Sequence, residues 1–194
     1  KKYGLNAVLN LHKARGSYCD VESDVSILDS APLQERFVEF WVEFERRFAS
    51  FDNAAFELLN EVRDEDPKKW NDLVERTLKA VRALNKDRII VVGTTCWNSP
   101  DRLSVLRLYD DENVVYTFHY YAPNEFTHQR GVLQAAQIYY NRDMPYPGEI
   151  ERYRDFQRFV NGAKEPYAKY KEMGKEYTYD KLATVKEFIK AHPD

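Results

Sequence analysis

Residues 54–61 read AAFELLNE, a short apolar run that ends in an amide and a carboxylate. A run of this length, bounded by polar residues, is typical of a strand buried inside a sheet. Comparable runs occur at residues 5–11, 88–93 and 113–119. The stretches between these runs carry apolar residues at three- and four-residue spacing, which indicates helices. The sequence therefore predicts strands and helices in alternation.

This alternation favours an α/β fold in which parallel strands are joined by right-handed crossovers. Both a closed (β/α)8 barrel of the TIM-barrel type and an open doubly wound sheet fit it. An open sheet usually carries a glycine-rich phosphate-binding turn, and the chain has neither GxGxxG nor GxxxxGK[ST]. We therefore predict a partial (β/α)8 barrel of about four βα units. Helical stretches predicted near residues 132–140, 150–160 and 180–191 would follow it.

The composition narrows the possible partners. Of the 194 residues, 43% are hydrophobic and 31% are charged, and the formal net charge is −3. This balance predicts no nucleic-acid partner, because such binding needs a basic face. No apolar run reaches the length of a membrane span, so we expect no membrane partner. Two cysteines, Cys19 and Cys96, make no disulfide framework, and we expect both to be thiols.

Glu61 is the most informative residue, because it ends the run at 54–61 directly after Asn60. A carboxyl group at a half-buried strand end loses hydration, which favours its protonated form and suits a general acid. The neighbouring amide of Asn60 could bond a substrate hydroxyl group. The alternative is that Glu61 merely begins the polar run at 63–66 and faces water.

Other candidate site residues also follow the predicted strands. His119 and Tyr121 end the run at 113–119, and two-residue spacing would point both the same way if the strand continued. His12 has the same position on the first strand, and Trp97 could stack on a sugar ring. Ordinary packing or hydrogen bonding explains each of them equally simply. Glu125 and His128 lie in an irregular region, where we expect surface roles.

Other reaction chemistries have weaker signals. The chain has four histidines but no HxH, HExxH or CxxC spacing. His12, His119 and Glu61 could still converge across strands, so a metal-dependent barrel hydrolase stays open. No GxSxG motif supports a serine nucleophile.

Several segments, in chain order, resemble motifs of glycoside hydrolase family 5, the cellulase-type retaining enzymes with a (β/α)8 barrel. Residues 56–61 (FELLNE) resemble the fourth-strand motif, in which Asn-Glu ends the strand. Residues 116–123 (YTFHYYAP) resemble the sixth-strand His-x-Tyr motif, and FTHQ at 126–129 matches the segment that often follows it. Residues 8–12 resemble the third strand with its histidine, and residues 88–98 resemble the fifth strand.

This resemblance implies that the chain covers the third to sixth strands of one catalytic domain spanning residues 1–194. It implies that Glu61 is the acid/base and that Asn60 bonds the sugar 2-hydroxyl. It also implies substrate-binding roles for four further residues. His119 and Tyr121 would position the substrate and the nucleophile, and His12 and Trp97 would line the subsites. The implied substrate is β-1,4-glucan as polymer or oligosaccharide, with no metal or organic cofactor and with secretion.

The chain departs from the family pattern at two places. Val62 stands where the family usually has proline, a difference that affects the loop. More seriously, no Gly-Glu-x-Gly segment follows Phe159, so we assign no nucleophile, and Glu149 is better interpreted as the start of a helix. We expect the missing strands to come from another segment or chain, and this chain alone to be inactive or impaired. A non-catalytic carbohydrate-binding remnant, a β-mannanase and a β-1,3-glucanase are the alternatives.

Overall fold

A computed structural model describes residues 3–17, 24–131 and 135–193. The chain forms two compact units, Lys1–His119 and Tyr120–Asp194. Cys19 lies outside the described residues, as does the beginning of the helix predicted near residues 132–140. Within the described ranges, no helix combines the length and apolar character needed to cross a membrane.

The first unit is built on a four-stranded parallel sheet in the order β1-β2-β3-β4. The strands are β1 (Ala7–Asn10), β2 (Ala54–Glu57), β3 (Ile90–Gly93) and β4 (Val114–Thr117). The predicted parallel arrangement is thereby confirmed. Each strand is shorter than the run that predicted it. The runs at 5–11, 54–61 and 113–119 continue past the last residue of their strands, whereas the run at 88–93 loses its first two residues. The residues past these three strand ends form loops at the carboxyl edge of the sheet.

Two long helices, α1 (Ala31–Phe48) and α2 (Pro67–Arg82), connect the first three strands. Each begins with a proline in its first turn, where the fixed φ suits a helix and no donor is lost. The side chain of Asp66 caps α2 by accepting a hydrogen bond from the Lys68 amide. Short 3-10 helices occupy Ile27–Asp29 and Pro100–Val105.

Two fully buried tryptophans join these helices to the sheet. Trp41 of α1 stacks on Phe56 of β2 at 5.4 Å between ring centres and donates its indole N–H to the Leu58 carbonyl. Trp70 of α2 donates its indole N–H to the Gly93 carbonyl at 2.9 Å. Because both acceptors lie at the carboxyl ends of strands, the two indoles fix the helices relative to that edge.

The amino edge of the sheet holds a buried ion pair between Glu45 of α1 and Arg88, which precedes β3. Their side chains are 1% and 2% exposed, and Nε of Arg88 lies 2.7 Å from Oε2 of Glu45. The guanidinium also donates to three backbone carbonyls, those of Phe48, Phe51 and Ala54. The pair therefore joins the end of α1 to the starts of β2 and β3.

A second ion pair at the same edge joins Arg82 of α2 to Asp111, which precedes β4. Nε of Arg82 lies 2.6 Å from Oδ2 of Asp111. Burial by itself raises the pKa of Asp111, but hydrogen bonds from Arg82 and from the Asn113 amide outweigh it, and the pKa is lowered.

The second unit is mainly helical. Its described helices are Asn124–Thr127, Ala135–Tyr140, Ile150–Asn161, Lys175–Lys181 and Ala183–Ala191. A two-residue antiparallel pairing joins Gly148–Glu149 to Glu172–Met173. Among the described residues, seven buried side chains form its core: Met144, Ile150, Tyr153, Phe156, Tyr170, Met173 and Tyr177.

Two predictions about this unit were incomplete or wrong. The helix predicted near residues 180–191 is broken at Leu182, whose φ of −101° and ψ of 16° end one helix and begin the next. Glu125, expected at the surface, is 2% exposed. Its carboxylate accepts hydrogen bonds from the Tyr167 hydroxyl and the Gln157 amide, each at 2.5 Å, which compensate for its burial. Glu149 is the residue that precedes the helix Ile150–Asn161, as its position in the sequence predicted.

Candidate active site

The loop that follows β2 carries the first part of the site. Leu58 and Leu59 are buried after the strand has ended, so they hold the loop on the core. The backbone N–H of Asn60 donates to the Leu11 carbonyl at 3.0 Å and thereby continues the pairing of β1 with β2. Glu61 then takes a positive φ of 44°, which turns the chain away from the sheet. Asn60 and Glu61 are therefore presented at the carboxyl edge.

Glu61 is paired with His119. Oε1 of Glu61 lies 2.8 Å from Nδ1 of His119, and the two side chains are 16% and 23% exposed. Which atom carries the proton depends on the histidine tautomer. The two residues are 58 positions apart in the chain, and they meet because β2 and β4 both end at this edge. The structure thus joins two of the predicted site residues in one titratable pair.

A cavity of about 780 Å³ opens beside Glu61. This volume lies within the range typical of small-molecule sites. Its lining comes from residues 16–17 and 25–28 after β1, residues 59–65 after β2, and Trp97 after β3. Among the residues that the structure describes, this lining carries three carboxylates and one guanidinium, those of Glu61, Asp64, Glu65 and Arg63. The wall of the cavity is therefore negative on balance.

Trp97 forms part of this wall with its side chain 46% exposed. The guanidinium carbon of Arg63 lies 5.9 Å from the centre of the indole ring, a cation–π distance. A partly exposed aromatic ring in a polar cavity is the kind of surface on which a sugar ring packs.

The remaining two predicted residues are one that follows β1 and one that belongs to the second unit. His12 follows β1 at the same edge, is exposed, and is not part of the cavity lining. Tyr121 belongs to the second unit, where its ring lies 5.3 Å from that of His128. β4 ends at Thr117, so the condition under which His119 and Tyr121 would point the same way is not met.

Sequence reasoning missed several lining residues. Arg63, Asp64 and Glu65 belong to a polar run that resembles an ordinary solvated loop, although its position just after a strand end was a usable signal. Residues 16–17 and 25–28 lie in the polar segment 13–30, which lacks periodicity and whose length, typical of a functional loop, was the only signal. Within the described ranges, no group of three or more His, Cys, Asp or Glu side chains is arranged to hold a metal ion.

Comparisons with known proteins agree with this geometry. The family model described as cellulase (glycosyl hydrolase family 5) matches residues 1–183. Endoglucanase C of Acetivibrio thermocellus is 37% identical over 157 residues, which are 80% of this chain and 46% of that protein. Cellodextrinase A of Ruminococcus flavefaciens is 40% identical over 158 residues, 80% of this chain and 45% of that protein.

Crystal structures with similar folds cover nearly the whole chain. Thermotoga maritima Cel5A in complex with cellobiose has a TM-score of 0.69 at 25% identity, covering 99% of this chain and 53% of that one. The cellulose synthase subunit Z of Clostridioides difficile has a TM-score of 0.65 at 23% identity, which concerns the fold alone. This chain spans about half the length of the relatives that it matches. It belongs to glycosyl hydrolase family 5 and has part of that family's (β/α)8 barrel.

Proposed function

We propose that this chain supplies the general acid/base of a retaining endo-β-1,4-glucanase, with Glu61 in that role. The observation that carries the proposal is the Glu61–His119 pair, which lies at the carboxyl edge of the parallel sheet beside the cavity. Barrel enzymes have their active sites at this edge. In this proposal, residues 1–194 are one part of a single catalytic domain, whose other strands come from another segment or chain.

A retaining mechanism uses two carboxyl groups about 5–5.5 Å apart. Glu61 would protonate the glycosidic oxygen as the bond breaks and a glycosyl–enzyme intermediate forms. It would then take a proton from the water that hydrolyses this intermediate. The nucleophilic carboxylate would lie outside these 194 residues. For this reason the chain alone is expected to be inactive or impaired.

His119 would hold the carboxyl group of Glu61 in one orientation through its 2.8 Å contact. A histidine suits this task because its ring nitrogen can donate to the carboxylate or accept from the carboxylic acid, so contact persists in both protonation states. Asn60 would bond the sugar 2-hydroxyl, and Trp97 would pack against a sugar ring. His12 and Tyr121 would contribute to neighbouring subsites.

The lining of the cavity favours a neutral polymer. With three carboxylates against one guanidinium, it would repel a polyanionic chain such as one of uronic acids. The relatives named endoglucanase and cellodextrinase support a β-glucan as the substrate class, and we propose the β-1,4-linked form. A polysaccharide such as β-glucan is degraded outside the cell, so we propose that the protein is secreted.

The test is hydrolysis of hydroxyethylcellulose, a soluble and uncharged β-1,4-glucan, by the full-length protein carrying Glu61→Gln. We expect a loss of about 10²–10⁴-fold, the usual contribution of a positioned acid/base. Glu43→Gln is the matched control, because Glu43 is an exposed carboxylate on α1 whose partners are Arg46 and Arg47. Near-parental activity of Glu61→Gln would reject the assignment.

A second candidate is a non-catalytic carbohydrate-binding barrel. The absence of a Gly-Glu-x-Gly segment after Phe159 favours it for these residues taken alone. Calorimetric titration of the full-length protein with cello-oligosaccharides separates the two. Binding without turnover supports the binding module, and turnover that depends on Glu61 supports the enzyme.

A further inference from the structure

The turn at Cys96, Trp97 and Asn98 has a conformation that side-chain preferences do not explain. Their φ values are 52°, 59° and 56°, so three consecutive residues other than glycine lie in the left-handed region. Such residues visit this region singly, because Cβ then crowds the backbone. A strained segment of this kind persists only where its surroundings hold it in place, and such segments concentrate at functional sites.

One side of this turn holds the loop that follows Glu61. The Trp97 amide donates to the Val62 carbonyl at 2.9 Å, and the Cys96 amide donates to the Asp64 carbonyl at 3.4 Å. Val62 directly follows Glu61, so the first of these bonds fixes the backbone one residue from the carboxyl group. The left-handed backbone turns the N–H groups of Cys96 and Trp97 towards the loop at residues 62–64.

The other side of the turn holds His119. The His119 amide donates to the Asn98 carbonyl at 2.7 Å. His119 lies beyond the end of β4, where the strand ladder no longer fixes the backbone. A single three-residue turn therefore contacts the backbone beside both members of the Glu61–His119 pair.

The buried side chain of Asn98 indicates that the turn does not serve to stabilise the fold. It is fully buried, and within the described part of the chain neither Oδ1 nor Nδ2 has a hydrogen-bond partner. An unsatisfied buried amide lowers stability, as does a left-handed backbone. The side chain is packed against Gly93, where an added Cβ would lie 2.5 Å from both amide atoms. Gly93 therefore provides the space that the turn requires.

We propose that the turn Cys96–Asn98 is the positioning element of the acid/base pair. Its amides hold the Glu61 loop and its last carbonyl holds His119, so that the 2.8 Å contact between the two side chains is maintained. Neither Cys96 nor Asn98 touches substrate in this account. The inference rests on the proposed role of Glu61, and the contribution of the turn is made by its backbone, whatever the indole of Trp97 does in the cavity.

The test is the variant Gly93→Ala, alone and combined with Asn98→Gly, in the full-length protein. The methyl group that Gly93→Ala introduces displaces Asn98 and with it the carbonyl that holds His119. Asn98→Gly removes the side chain that the methyl group meets and retains access to positive φ. We expect the single variant to lose function and the double variant to regain it.

The first readout is kcat/KM with two aryl β-cellobiosides. A phenyl leaving group needs a proton from the general acid, whereas 2,4-dinitrophenolate leaves without one. For Gly93→Ala we expect about a 100-fold loss with the phenyl substrate, the effect of a small misplacement of a catalytic group. We expect little loss with the dinitrophenyl substrate. Equal loss with both, or no rescue by Asn98→Gly, would indicate a merely structural role and overturn the proposal.

The second readout does not depend on catalysis. Amide hydrogen exchange should become faster at Trp97 and His119 in Gly93→Ala and return towards parental rates in the double variant. Unchanged exchange at both amides would overturn the positioning role, even if Glu61 is the acid/base. If Glu61→Gln keeps its activity while the amides respond as expected, the proposed function is wrong and the structural coupling stands.

Discussion

The two edges of the sheet use carboxylates in opposite ways. At the amino edge, Glu45 is 1% exposed and faces Arg88, a permanent cation that also donates to three backbone carbonyls. At the carboxyl edge, Glu61 is 16% exposed and faces His119, an imidazole whose donor or acceptor role depends on its tautomer. The first carboxylate is enclosed together with a permanent cation. The second has a partner whose ring nitrogen can donate or accept a hydrogen bond, and it lines a cavity from which a substrate can reach it.

This contrast shows that burial and the permanence of the partner's charge separate a structural carboxylate from a candidate catalytic one. A buried pair whose donors are all satisfied fixes three elements relative to each other, but it offers no exposed carboxyl group to a substrate. A partly exposed pair contributes less to stability and can be reached from the cavity. The division agrees with the general assignment of stability to the amino face of a barrel and chemistry to its carboxyl face.

The largest effect on stability should come from Glu45→Ala. It leaves the Arg88 guanidinium buried without its carboxylate, which costs about 3–5 kcal/mol of unfolding free energy. Urea denaturation followed by circular dichroism measures this quantity. Glu43→Ala is the control, because it removes an exposed (i, i+4) pair with Arg47 and should change stability by about 0.5 kcal/mol or less. A cost below about 1 kcal/mol for Glu45→Ala would contradict the structural role of this edge.

The double variant Glu45→Leu with Arg88→Met tests whether the loss in Glu45→Ala comes from the unpaired charge of Arg88. Because both charges are removed together, no buried charge is left without a partner. The double variant should therefore be more stable than Glu45→Ala. The urea midpoints of the parent, Glu45→Ala and the double variant, compared at equal m-values, measure the difference in stability. If the double variant is the least stable of them, the other contacts of Arg88 decide the loss, and not the unpaired charge. These are its hydrogen bonds to three carbonyls and its 4.5 Å contact with the Phe56 ring.

Glu61→Gln should change stability far less. The change removes at most one partly exposed hydrogen bond to His119, so we expect about 1 kcal/mol or less. The same denaturation experiment measures it, and hydrolysis of the glucan is measured in parallel. A stability loss as large as that of Glu45→Ala would mean that both edges are structural.

The smallest expected effect is the pH dependence at the amino edge. The lowered pKa of Asp111 means that its contribution is present above the ordinary value of 3.8 and is lost as the pH falls through the lower folded value. The stability difference between the parent and Asp111→Asn should therefore shrink below about pH 4. Urea denaturation between about pH 6 and pH 2.5 measures it. A difference that grows as the pH falls would reverse the sign that the contact with Arg82 predicts.

The sequence predicted the carboxyl edge better than the amino edge. Strand runs that end in polar residues marked Asn60, Glu61 and His119, because a parallel sheet brings such ends together. The Glu45–Arg88 pair spans 43 residues and was not predicted. Glu45 does have a signal, since it is a charged residue four positions after Trp41 on the buried face of α1.

What the sequence could not predict lies in irregular backbone. Cys96 and Trp97 have no preference for positive φ, so nothing in their identities indicated a left-handed turn. The segment that includes residues 25–28 lacks the periodicity on which the strand and helix predictions rested, and its place in the cavity follows only from tertiary structure. The break at Leu182 likewise interrupts an apolar pattern that continues through it.

The most direct measurement of the central claim is kcat/KM of the full-length Glu61→Gln protein with phenyl and 2,4-dinitrophenyl β-cellobioside. If Glu61 is the general acid, the phenyl substrate loses about 10²–10⁴-fold, and the dinitrophenyl substrate loses little, since its leaving group needs no proton. Parental activity on the phenyl substrate, or the same loss on both substrates, would contradict the account.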